Sequence, residues 1–199
     1  MGTIINIGSV ESKRGLPLQT VYSAAKHGMK GFTDALRLEH EQVPVNVTLV
    51  LPASINTPLF DHARSKLGTK PRPIPPVYEP EVVARAVLEV VRRPLREVVV
   101  GGAGKGLTAA ERRSPAALDR LLLGPGKVFE KQRSSQPHAD GDNLEAASTG
   151  LGSATGSFGQ ESKSSSLFTE TLELHPQRLR AFAATAALAA LVWRRRSRR

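Results

Sequence analysis

A chain of 199 residues, 40% hydrophobic, 5% aromatic and without cysteine, has room for one compact domain plus additional segments, and it excludes a disulfide framework and thiolate metal or redox chemistry. The formal charge of +10 points to nucleic acid only until it is located, because Arg178, Arg180, Arg194, Arg195, Arg196, Arg198 and Arg199 carry +7 with no acid among residues 176–199. A phosphate-binding footprint spreads over a folded face with aromatics interleaved, so a nucleic-acid partner is disfavoured, and the five scattered histidines offer no metal-ligand spacing.

Met1 is followed almost at once by Thr3-Ile4-Ile5-Asn6-Ile7, with no charged leader or cleavage-like run, so translation is expected to begin inside a strand. Residues 3–8, rich in isoleucine and bounded by Gly2 and Gly8, read as a short, fully buried strand of the parallel type. A loop from Glu11 to Thr20 is punctuated by Gly15 and Pro17. From about Val21 to Gln42, Ala25, Met29, Phe32 and Leu36 recur at the spacing of an amphipathic helix with one face on a core. Val45–Leu51 is β-branched and almost continuously apolar, a second buried strand stopped by Pro52.

Pro58–Leu67 holds a candidate short helix, and Pro71, Pro73, Pro75 and Pro76 mark an extended loop. Glu79–Arg93 puts Val82, Val83, Ala86, Val87, Val90 and Val91 on one stripe, a helix lying on a sheet, and Glu97–Val100 forms a third strand. The glycines Gly101, Gly102, Gly104 and Gly106 then read as a flexible exit from the sheet. Strand, helix, strand, helix, strand is the pattern of an α/β parallel sheet with right-handed crossovers, here half of a doubly wound fold. A weaker helical stretch follows at Pro115–Leu123.

Residues 132–170, Ser/Gly-rich with few large apolar side chains, are expected to form a flexible or disordered linker. The tail 171–199 contains Ala181–Trp193, small and apolar between arginines. As a helix that stretch is about 20 Å long, short against a hydrocarbon core of about 30 Å. Three readings stay open for 181–199: a short membrane tether with Trp193 and the arginines at the interface, an interfacial helix on anionic lipid, and a solvated alanine-rich helix.

Tyr22 and Lys26 stand four apart at the start of a helix, on one face and about one turn from each other. A neighbouring ammonium favours the phenolate, so Tyr22 is a candidate general acid for carbonyl reduction or base for alcohol oxidation. Ser9 ends the first strand, and open α/β sheets bind ligands beyond the carboxyl ends of their strands. Its hydroxyl is placed to donate to a substrate oxygen beside Tyr22. The competing structural readings are two amphipathic residues on a helix face and a strand-closing turn.

Together these segments resemble the short-chain dehydrogenase/reductase family. Ile4-Ile5-Asn6-Ile7-Gly8-Ser9 is similar to its catalytic-serine strand, Tyr22-Ser23-Ala24-Ala25-Lys26 to its Tyr-x-x-x-Lys helix, and Pro52-Ala53-Ser54-Ile55-Asn56-Thr57 to its Pro-Gly-x-x-x-Thr segment, with Ala53 in place of glycine. The resemblance covers about residues 2–104. It implies that Tyr22 is the acid/base, that Ser9 orients and polarises the substrate oxygen, and that Lys26 lowers the tyrosine pKa and binds the nicotinamide ribose. It also implies cofactor contacts from Tyr22, Pro52, Ile55 and Thr57, the Ile55 contact being through the backbone. Thr57 doubles as a candidate N-cap before Pro58.

The resemblance thus implies an oxidoreductase moving hydride between NADP or NAD and a small-molecule carbonyl or secondary alcohol, cytoplasmic or held at a membrane by 181–199. A homo-oligomer through the helix that begins at Tyr22 is left open. The family's first half, with its Gly-x-x-x-Gly-x-Gly turn, has no counterpart here. The expected architecture is therefore a partial Rossmann-like sheet lacking its N-terminal half, from a truncated form: 1–104 the catalytic half, 105–131 a helical extension, 132–170 a linker and 171–199 an apolar helix with an arginine-rich end. The alternative is a non-catalytic or membrane-associated binding or scaffold protein that retains the half-fold.

Overall fold

The computed structural model describes residues 2–125, 127–137, 144, 152–175 and 177. In chain order its elements are β1 (Gly2–Ile7), a 3-10 turn (Val10–Ser12), α1 (Thr20–Glu39), β2 (Val45–Pro52), β3 (Ser54–Ile55), α2 (Leu59–His62), β4 (Thr69–Pro71) and β5 (Val77–Tyr78). There follow α3 (Pro80–Arg92), β6 (Glu97–Val100), α4 (Gly102–Arg113), α5 (Pro115–Leu123), α6 (Val128–Lys131), β7 (Arg133–Pro137), β8 (Ser162–Lys163) and a π-helical turn (Thr169–Glu173).

The three apolar strands expected from the sequence pair in parallel in the order β1-β2-β6, Ile5 lying opposite Thr48 and Val50 opposite Val98. β2 is central. Leu49, Val50 and Leu51 are at most 1% exposed, and its alternating side chains feed two apolar clusters, one on each face. Val82, Ala86 and Val90 of α3 close the face that includes Val50 and Val98, as their spacing predicts. Val10 and Val99 pack with Leu49 and Leu51 on the other face, joined there by Met29 of α1 and Leu107 of α4.

β1 departs from the expected fully buried strand. Among the described residues it pairs with β2 alone and stands at the edge of the sheet, half-buried along its length and with Ile7 exposed. α1 also sits differently from its apolar stripe: Ser23 and Thr33 are its buried residues, while Phe32 is 59% exposed. Polar bonds decide that orientation, since Thr33 Oγ1 accepts from Asn6 Nδ2 of β1 at 2.9 Å and itself donates to Met29 O.

The glycine run after β6 is the start of a helix and not a flexible exit. Gly101, at φ 106°, turns the chain where a Cβ would meet the Tyr78 ring at 2.8 Å. Gly104 then lets α4 lie against the sheet, because a Cβ there would stand 2.6 Å from Val10 Cγ1.

Where it is described, the stretch expected as a linker contributes pairing. β7 runs antiparallel to β4, and β8 joins β5 and β3 in a second parallel sheet. The π-helical turn covers the open edge of β6 with side chains: Glu173 Oε1 accepts the Val99 N–H at 2.9 Å, and Thr169 Oγ1 accepts the Gly101 N–H at 2.9 Å. Ala181–Trp193 and the arginines around it lie outside the described residues. Among the described residues no helix is long and apolar enough to cross a membrane.

Candidate active site

Ser9 leaves β1 at its carboxyl end and caps the 3-10 turn that follows. Its N–H donates to Ser12 Oγ at 3.2 Å, and its Oγ accepts the Glu11 N–H at 3.1 Å. That reciprocal box spends an acceptor site of the Ser9 hydroxyl on backbone and leaves its proton to be donated elsewhere. Tyr22, in the first turn of α1, is the neighbour whose phenolate the Ser9 hydroxyl favours.

Lys26 stands one turn further along α1. Its Nζ lies 5.5 Å from the centroid of the Tyr22 ring and donates to Ile7 O at 3.1 Å. The fold therefore brings Ser9, Tyr22 and Lys26 together at the carboxyl end of β1. The expected electrostatics differ in sign, however: burial pushes the Tyr22 phenol above its ordinary value, the Ser9 hydroxyl opposes this, and the nearby Glu11 carboxylate adds to it. Lys26 spends a donor on the Ile7 carbonyl.

The segment after β2 is built differently. Pro52 is buried at the end of the strand opposite Val100, and Ile55 belongs to β3, paired with Tyr78. Thr57 is half-buried and does not cap α2; Pro58 holds the cap position, and Thr57 N–H donates to Ile55 O at 3.0 Å. A distant segment docks on this loop, with the Gly156 N–H donating to Asn56 O at 3.1 Å and the Phe158 N–H to Asn56 Oδ1 at 3.0 Å.

Between the Ser9 turn, the post-β2 loop and α4 lies a cavity of about 170 Å³, walled among others by Val10, Leu16, Ala53, Ile74, Leu107 and Val128. Its lining carries no charged side chain. Ile74 comes from the proline-rich stretch between β4 and β5, which contributes apolar surface beside the Ser9 turn.

A polar cluster behind Ser9 escaped the sequence. Glu11 is 5% exposed, Ser12 0% and Ser23 7%, and Ser23 Oγ donates to Glu11 Oε2 at 2.6 Å. The one signal present was Ser9-x-x-Ser12, a capping-type spacing inside what read as plain loop. Further out, Arg14 ties the same loop to Glu111 of α4 at 2.8 Å and to Asp119 of α5.

The profile of the short chain dehydrogenase family matches residues 1–68. The uncharacterized oxidoreductase YxnA of Bacillus subtilis is 35% identical over 139 residues, 68% of this chain and 38% of its own length. The ketoacyl reductase HetN of Nostoc is 29% identical over 147 residues, 70% of this chain and 50% of its own. A short chain dehydrogenase from Burkholderia cenocepacia, solved in complex with NADP, superposes with a TM-score of 0.51 at 26% identity, over 62% of this chain and 48% of that one. The chain thus spans half or less of the length of these proteins.

Proposed function

The chain belongs to the short-chain dehydrogenase/reductase family, and from that premise we propose that its site moves hydride between NADP or NAD and a carbonyl or secondary-alcohol substrate, with Tyr22 as general acid/base. The observation that carries this reading is the Lys26 ammonium, 5.5 Å from the centroid of the Tyr22 ring and anchored on the carbonyl of Ile7 at the end of the strand that leads to Ser9. Ser9, its Oγ already accepting the Glu11 N–H, donates its proton to the substrate oxygen and fixes it beside the phenol. In reduction Tyr22 Oη gives its proton to that oxygen as it becomes a hydroxyl; in oxidation it takes the proton back.

The residues present fit the nicotinamide end of the cofactor. An ammonium has three donors, and the Lys26 bond to Ile7 leaves capacity for ribose hydroxyls. Ile55 and Thr57 lie just beyond the carboxyl end of β2, where such sheets bind ligands, and offer a backbone amide and a hydroxyl. Pro52 closes that strand beneath them. When bound, the nicotinamide supplies or accepts the hydride at the substrate carbon. No Gly-x-x-x-Gly-x-Gly occurs in the 199 residues, so the activity is proposed for this chain together with a glycine-rich half.

The uncharged cavity supports a substrate whose remaining substituent is small and apolar. Exposed Val21, Phe32 and Leu38 support the reading of α1 as a surface between copies of the chain. The test is reduction of a panel of small carbonyls by NADPH and NADH, using the longest in-frame product that contains these residues. Tyr22→Phe is expected to lower kcat about 100-fold to 10,000-fold. Unchanged turnover removes Tyr22 from the mechanism, and absence of turnover with every carbonyl in the unaltered protein returns the site to a binding or scaffold role.

A further inference from the structure

We propose that Glu11 is a positioning residue of this site: its buried side chain clamps the Ser9 turn to the first turn of α1 and brings a titratable group to the junction beside Tyr22. The inference rests on the acid/base role given to Tyr22 above, and it concerns a residue that reaches the reacting atoms only through others.

The clamp is visible in the connections. The Glu11 backbone N–H holds Ser9 Oγ at 3.1 Å, and the Glu11 side chain accepts from Ser23 Oγ at 2.6 Å. Ser23 is the neighbour of Tyr22 in α1. One residue therefore bonds the hydroxyl group of the first catalytic candidate with its main chain and the helical turn of the second with its side chain. Leu16 N–H donates to the same Ser23 Oγ at 3.4 Å and adds a backbone tie to this junction.

The charge is what makes the position more than a tie. A carboxylate at 5% exposure is costly to ionise unless it is paired, and its donor here, the Ser23 hydroxyl, is neutral. Among the described residues no ion pair reaches it. Cations on its own loop are committed elsewhere, Lys13 to Glu97 at 2.6 Å and Arg14 to Glu111 and Asp119. On α1, Lys26 bonds Ile7 O, and His27, which exerts a weak attraction on Glu11, has its Nδ1 on Ser23 O at 2.8 Å. β2 and α4 turn Leu49, Leu51 and Leu107 to this side. Burial accordingly pushes the Glu11 carboxyl up to about 6, and the ionised form in turn raises the Tyr22 phenol. Near neutral pH Glu11 is the charge that opposes loss of the Tyr22 proton; protonated, it releases that opposition while Ser23 remains bonded.

The test needs neither cofactor nor substrate. In the full chain, carbon NMR of the labelled Glu11 carboxyl and of Tyr22 Cζ is followed with pH. The expected result is a Glu11 midpoint near 6 and an inflection of the Tyr22 resonance at that same pH. In Glu11→Gln, which keeps an acceptor for Ser23, the inflection disappears and the Tyr22 midpoint, read from its tyrosinate absorbance against a Tyr22→Phe blank, falls by about half a pH unit or more. An ordinary Glu11 midpoint, or a Tyr22 resonance blind to it in the unaltered chain, overturns the proposal even where the variant fails to fold. A merely structural glutamate leaves the Tyr22 midpoint where it was. Absence of reductase activity with the coupling intact would instead count against the hydride-transfer reading alone.

Discussion

Asn6 Nδ2 donates to Thr33 Oγ1 at 2.9 Å, joining the strand that leads to Ser9 to the helix that carries Tyr22 and Lys26. Thr33 is 0% exposed, so its hydroxyl has no water to turn to. Thr33→Val preserves the shape and leaves the Asn6 amide without this partner. It is expected to destabilise the fold by about 1–3 kcal/mol, measured by urea unfolding. A variant as stable as the parent would show that apolar packing alone seats α1.

The β6 edge is covered by a side chain in place of a strand. Glu173→Leu removes the acceptor of Val99 N–H and the partner of Lys105, 2.9 Å away, and is expected to cost about 1–3 kcal/mol. Exchange of the Val99 amide with deuterium should accelerate with it. Glu173→Gln keeps an acceptor and should lose less.

Two glycines of α4 make opposite predictions. Gly104→Ala drives a methyl to 2.6 Å from Val10 Cγ1 and 3.2 Å from Ala53 Cβ, so the helix must lift or the Ser9 turn must move, at an expected cost of about 1–3 kcal/mol. Gly106 has open space where a Cβ would sit. Gly106→Ala is expected to stabilise by about 0.5–1 kcal/mol, because alanine loses less backbone entropy in a helix. Thermal unfolding of the pair compares the two sites directly.

Stability should fall as pH rises from about 4.5 to about 6. The Glu11 carboxyl titrates higher in the folded chain than its ordinary 4.5, so the folded state binds more protons through that window. Its contribution is fully present below 4.5 and lost on passing 6, a span worth about 2 kcal/mol. Asp34 behaves oppositely: the Lys30 ammonium 2.6 Å away holds its carboxyl low, and that stability is lost only as pH falls below 3.8. Urea midpoints across pH 4.5–7 should decline in the parent chain and flatten in Glu11→Gln.

The apolar runs Ile4–Ile7, Val45–Leu51 and Glu97–Val100 were legible because β-branched residues packed on both faces of a strand leave an unbroken pattern. The stripe Val82–Ala86–Val90 was legible for the same reason at helical period. Ser9, Tyr22 and Lys26 could be singled out by spacing. Glu11 and Ser23 could not, since a buried carboxylate and an exposed one are the same letter until a partner arrives from 12 residues away. Ser162–Lys163 was read as linker, and Thr169–Glu173 was split between linker and tail, because their partners are in β5 and β6, more than 60 residues back, and their own composition carries no periodicity.

Local order therefore settled the three strands of the main sheet and the helices α1 and α3, and which side chains stand at the strands' carboxyl ends, because those follow from periodicity and steric preference within a few residues. Tertiary structure alone decided that β1 is an edge, that Thr33 and not Phe32 faces the sheet, and that the glycine run starts a helix against Val10. It also decided the sign of the Tyr22 shift. Burial and a carboxylate from another loop act through space, and no spacing along the chain encodes how deeply a phenol lies or which charge comes to rest beside it.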